Sequence, residues 1–141
     1  MTYDMFNRHP YKGEVMSLYN LDTKMRDVKK KLRGKEPVAA GLLNLLAIDI
    51  CQSYVNLIEF IYLRKKAQAP VGENIKQILE RLLAKEEYIV RSDILRCIDV
   101  VVSWKETQLP LMSIKTTEAE VKAVFDSLEC FYLWVDKNYF Y

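Results

Sequence analysis

The sequence predicts an all-α protein, a single-domain bundle of four to five helices around a long central helix. Three observations carry this expectation. Apolar residues recur at helical spacing along most of the chain, glycine and proline fall mainly between those runs, and the thirty-residue stretch Pro37 to Lys66 is apolar around most of its circumference. On a helical wheel, Asp49, Gln52, Ser53, Asn56 and Glu59 fall within about 120°, while Leu45, Leu46, Ile48, Ile50, Tyr54, Val55, Leu57, Ile58 and Ile61 cover the rest. Only a narrow stripe of this helix is expected to face water, and its length is roughly 40 Å.

Residues 1–12 carry aromatics without a period and read as an extended lead. From Gly13 to Arg33, Leu18, Leu21, Met25, Val28 and Leu32 alternate at spacings of three and four, one apolar seam on a first helix that Gly34 caps. Pro37 suits the first turn of the central helix, and Pro70 and Gly72 close it. A third helix runs from Glu73 to about Glu87 on Ile75, Ile78, Leu79, Leu82 and Leu83. Ser92 is placed to cap a fourth through Trp104, with the β-branched run Val100 to Val102 weakening its end. Residues 105–116, with Pro110 and no period, read as a surface loop. Thr117 and Glu120 then form a capping box for a last helix with Val121, Val124, Phe125, Leu128, Phe131, Tyr132 and Val135 on its apolar face.

Half of the 141 residues are hydrophobic, enough for one domain in which folding removes about 70% of the unfolded chain's surface from water. The net charge of +2 gives no overall drive toward nucleic acid or anionic membranes. Cys51, Cys97 and Cys130 each sit in an apolar helical pattern, where a thiol behaves as a small hydrophobe, so a reducing, cytoplasmic setting is expected. The first residues lack the apolar segment of a signal peptide. Asp49 and Glu59 interrupt Val38 to Leu63, and the expectation is no membrane insertion.

The residues also exclude several chemistries. A lone histidine, His9, and three scattered cysteines do not make the close ligand pairs of a zinc site or the Glu-x-x-His pairs of a di-iron bundle, so no metal is expected. Four isolated glycines build no phosphate-cradling loop, and no nucleophile has a histidine in sequence register; neither a cofactor nor a catalytic residue is assigned. Asp49 and Glu59, ten residues apart, are too widely spaced to share a proton without help from another helix. The basic run Lys24, Arg26, Lys29, Lys30, Lys31, Arg33 and Lys35 is diluted by Asp22, Asp27 and Glu36 and reads first as a solvated helix end. An antiparallel first helix pair would set it at the opposite end of the bundle from Arg64, Lys65 and Lys66. The aromatic C-terminal stretch is different in kind: Phe131 and Tyr132 fit the core, whereas Trp134, Tyr139, Phe140 and Tyr141 exceed what one helix face needs and are the candidate protein-interface residues.

From Glu73 to Trp134 the order of elements resembles the HEPN superfamily of helical domains. The similar features are the helix with Ile75, Leu79 and Leu82, the step Tyr88 to Ser92, the helix Ile94 to Asp99, and Thr116 to Glu120 opening a helix that ends near Leu133 and Trp134. Active members carry an Arg, then four to six intervening residues and a His, and cleave RNA without metal. Arg96 stands where that Arg is expected, but Cys97 to Ser103 contains no His, so the resemblance implies a non-catalytic member.

The expected function is therefore a non-catalytic interaction or regulatory protein with a protein partner or a second copy of itself. The setting that the resemblance implies is a subunit of a prokaryotic or phage conflict or defence complex. The alternative is an RNA-binding or degenerate ribonuclease component that uses Lys24, Lys29, Lys30, Lys31, Arg33 and Arg96 on phosphates.

Overall fold

The computed structural model describes residues 12–34, 36–106 and 116–139, with side chains from Asn20 onward. The extended lead read over residues 1–12 otherwise lies outside the described residues, Lys12 being the first residue of a helix. Most of the expected loop, residues 107–115, also lies outside them. The described residues fold as helices α1 (Lys12–Leu32), α2 (Ala40–Arg64), α3 (Ile75–Leu82), α4 (Tyr88–Leu95), α5 (Ile98–Glu106) and α6 (Glu118–Tyr139). The all-α class read from the sequence is the class observed.

Two long helices share the organising role expected of one. α2 packs on α1, α5 and α6, while α6 packs on α1, α2, α4 and α5. They run parallel. Thr116 Oγ1 donates to Asn44 Oδ1 across 3.3 Å where both begin, and Arg64 Nε donates to the Tyr139 carbonyl across 2.8 Å where both end. α1 runs against both, with Lys24 at 3.6 Å from Asp49 and Lys29 at 3.1 Å from Glu129. Between the parallel pair, α3, α4 and α5 carry the chain from the end of α2 back to the start of α6.

The wheel of α2 is realised with two corrections. Gln52 and Glu59 are exposed and Asp49 and Asn56 half-buried, but Ser53 is buried. Its hydroxyl donates to the Asp49 carbonyl at 2.8 Å, the bond back to residue i−4 that lets serine enter a core without a stranded donor. Leu45, assigned to the buried arc, is 58% exposed, because it stands one turn before Asp49 and so falls within the polar sector. By length and composition α2 is apolar enough to cross a membrane, and half of its apolar window is buried inside the fold.

Several helix ends differ from their sequence signals. α2 stops at Lys65, before Pro70 and Gly72: Lys66 N–H donates to the Leu63 carbonyl and Ala67 N–H to the Tyr62 carbonyl, the two bonds of a Schellman motif. Lys66 takes the left-handed position at φ 55°, where glycine is the usual residue. α3 is shorter than expected and begins at a complete capping box that the sequence reading passed over. Asn74 Oδ1 accepts from Gln77 N–H and Gln77 Oε1 accepts from Asn74 N–H, both at 2.9 Å. Replacing Asn74 with alanine is expected to cost about 1 kcal/mol, seen as a lower urea midpoint with an unchanged slope.

The expected fourth helix is realised as two segments. α4 begins one turn early, at Tyr88, so Ser92 lies inside it rather than capping anything. The chain breaks at Arg96 and Cys97, and α5 starts with Val100 and Val101 N–H both donating to the Cys97 carbonyl. The valine run does not weaken α5, because Val101 is fully buried against the core and tertiary packing outweighs its modest helix propensity. Lys105 and Glu106, read as loop, finish this helix. The last helix starts as expected, with Glu120 N–H donating to Thr117 Oγ1 at 3.1 Å.

Candidate interaction site

The residues picked out at the C-terminal end divide between core and surface. Trp134 is 9% exposed and closes a ladder of rings: Tyr54 stacks on Phe131 at 5.8 Å, Phe131 on Trp134 at 6.3 Å, and Tyr139 meets Trp134 edge-on at 5.4 Å. Tyr139 is half-buried, while Phe140 and Tyr141 lie outside the described residues. The ladder ends at a cavity of about 710 Å³ at the end of the fold where α2, α3 and α6 all terminate. Tyr62, Trp134 and Tyr139 form its aromatic wall, and Lys65, Arg81 and Lys85 stand on its lining. Trp134 Nε1 is buried there without a hydrogen-bond acceptor. An unmet indole donor costs about 1–3 kcal/mol. Burial, with Glu86 and Tyr62 beside it, raises the pKa of the Tyr139 hydroxyl, so it is a neutral donor at physiological pH.

The basic run of α1 is largely spoken for. Lys24 pairs with Asp49, Arg26 with Asp22 at 3.0 Å and Lys29 with Glu129, which leaves Lys30, Lys31 and Arg33 as the described cations of that run outside ion pairs. Arg33 and Lys29 line a cavity of about 330 Å³ against Lys122, Phe125 and Asp126 of α6. Because α1 runs against α2, this cluster sits at the far end of the molecule from Lys65 and Lys66, and the two make no continuous track.

Arg96 falls in the break between α4 and α5, exposed, on the lining of a cavity of about 490 Å³. The sequence reading did not pick out its neighbours. Arg91 of α4 lines the same cavity and its Nε is buried without an acceptor. Among the described residues neither arginine has an ion-pair partner.

Two further constellations arise only in three dimensions. The cysteines, distant in sequence and all free, gather near the Tyr54 hydroxyl, which is buried without a partner; burial first, then these thiols, raises its pKa. Burial also pushes the Cys51 thiol up to about 11, against a smaller opposing pull from Lys105. Between α1 and α6, Tyr132 is hydrogen-bonded to Asp22, and its pKa is raised by burial, then by the Asp22 and Asp136 carboxylates. Burial and the Asp22 charge likewise raise the pKa of Asp136. No group of three or more His, Cys, Asp or Glu side chains is arranged to hold a metal ion among the described residues.

Compared with protein-family models, curated proteins and solved structures, the chain matches none.

Proposed function

We propose that this chain is a non-catalytic helical interaction or regulatory protein that works bound to a protein partner or to a second copy of itself. The observation that carries the reading is the aromatic cavity at the C-terminal end: an opening of about 710 Å³ is walled by Trp134, Tyr62 and Tyr139, with a buried indole donor left unmet. Tyrosine and tryptophan at a partly open site supply large apolar area with a polar tip, the chemistry of interface anchors. A cytoplasmic setting belongs to the same proposal. So does a place in a prokaryotic or phage conflict or defence complex, which rests on the HEPN-like order of elements from Glu73 to Trp134 alone. The RNA-binding alternative has less support, since the ion pairs of Lys24, Arg26 and Lys29 consume much of the charge it needs.

Light scattering of the purified chain, with affinity capture from its native cell, tests the proposal. The expected result is a mass above the monomer or a stoichiometric partner, and weaker association in Tyr139→Ala with helical content retained. A strict monomer at every concentration that retrieves no partner ends the reading.

A further inference from the structure

The cavity beside the α4–α5 break has a composition that its neighbours lack. Tyr88, Arg91, Ser92, Leu95 and Arg96 line it together with Glu80 of α3. In sequence these five are spaced i, i+3, i+4, i+7 and i+8, so they occupy one arc of about 140° on α4. Along that arc Tyr88, Ser92 and Arg96 are exposed, while Arg91 and Leu95 are half-buried at its inner edge. The opposite side is packed, with Ile94 buried in the core and α4 laid against α6 and α3. Tyr88 is 75% exposed and the adjoining Ile89 is 69% exposed, an apolar patch that a solvated helix end has no need of.

The charges on this face are unbalanced. Two guanidinium groups share the cavity with the single carboxylate of Glu80, and no described carboxylate lies within ion-pair distance of either. Of the other described arginines, Arg26 and Arg81 have such partners, Asp22 and Glu73, whereas Arg33 stands outside ion pairs. Arg91 is the more telling of the two. It is half-buried, and its Nε is shut off from water with no acceptor. A charged donor left in that state is costly, and a carboxylate meeting the guanidinium edge on removes the cost through paired hydrogen bonds. Tyrosine and arginine are also the side chains most enriched in interface hot spots.

We infer that the outward face of α4 is a docking surface for an acidic segment of a partner protein, with carboxylates on Arg91 and Arg96 and an apolar side chain against Tyr88 and Leu95. This inference rests on the reading of the chain as an interaction protein and names the chemistry of its partner. The face lies beside the aromatic cavity, for Glu80 lines one opening and Arg81, the next residue of α3, lines the other.

The experiment uses the full chain and a fluorescein-labelled synthetic peptide in which leucine and phenylalanine alternate with glutamate, beside a control with lysine in place of every glutamate. The glutamate peptide is expected to bind, with affinity that falls as salt is raised, and the lysine peptide is not. Arg91→Glu with Arg96→Glu should lower the affinity of the glutamate peptide about tenfold or more. If the double variant loses helical content, Arg96→Gln alone, at the exposed break, should still weaken binding several-fold. No binding of the glutamate peptide, or equal binding by wild type and variants, overturns the inference. A native partner retained equally by wild type and the double variant also overturns it while leaving the interaction reading intact. A monomer that retrieves nothing removes the interaction reading itself, and this inference with it.

Discussion

Replacing Phe131 with alanine is expected to lower stability by about 3–5 kcal/mol, the range for deleting a large aromatic from a closed core. Phe131 has no exposed surface and is stacked between Tyr54 and Trp134, so its removal opens a hole lined by two rings that are themselves held by α2 and α6. Neither helix is free to close in, because each is fixed at both ends, by Asn44 with Thr116 and by Arg64 with the Tyr139 carbonyl. Urea unfolding of the variant followed by circular dichroism checks this. A loss near 1 kcal/mol would mean that the space is refilled by rotation of Trp134 and that the ladder is loosely packed.

Alkaline pH should weaken the fold well before its lysines titrate. The Cys51 thiol is buried and its pKa stands at about 11 against an ordinary value of 9.0. Below about pH 9 the thiol is protonated in both folded and unfolded chains and the full stability is present. Above that the unfolded chain ionises first, and stability falls until the folded thiol also ionises near pH 11, a total of about 2–3 kcal/mol. Burial raises the pKa of Tyr54 and Tyr132 too, which carries the decline in the same direction above the ordinary tyrosine range. Urea midpoints at intervals from pH 8 to 11 should fall steadily, and Cys51→Ala should flatten the first part of the curve. A midpoint constant to pH 10 in the wild type would contradict the burial of this thiol.

The helical class was legible because periodicity reports which face of a helix is apolar, and that signal is local. Thr117 as the start of the last helix and the seam of Leu21, Met25, Val28 and Leu32 on α1 were readable for the same reason. What sequence cannot carry is which neighbour covers a face. Ser53 lies in the polar sector of the wheel, yet a backbone acceptor one turn away lets it be buried. Leu45, read as part of the apolar arc, is left uncovered. The stop of α2 was misplaced because a lysine in the left-handed position gives no warning, whereas Pro70 and Gly72 do. Of the candidate site, Trp134 and Tyr139 were picked out, but the ring ladder that buries one and half-buries the other depends on the parallel run of α2 and α6. Arg91 was missed because it fell in the step before the helix read from Ser92, where an arginine reads as a solvated charge. The register of Tyr88, Arg91, Ser92, Leu95 and Arg96 was the available signal, and it was hidden by starting the helix at Ser92.

The parallel run of α2 and α6 has a consequence for the order in which the chain matures during synthesis. α2 is the most apolar helix in the protein, and the face that α6 covers stays open until Glu118 to Tyr139 has been made. At about 5–20 residues per second, the chain between Arg64 and Glu118 takes several seconds to follow, and for that interval a 25-residue apolar helix has only α1 and, once it is made, the short α5 to lean on. A nascent chain arrested before Glu118 should therefore be held by chaperones or drawn to membranes, and release of the finished α6 should free it. Of the described helices, the last to be made is the one that closes the core.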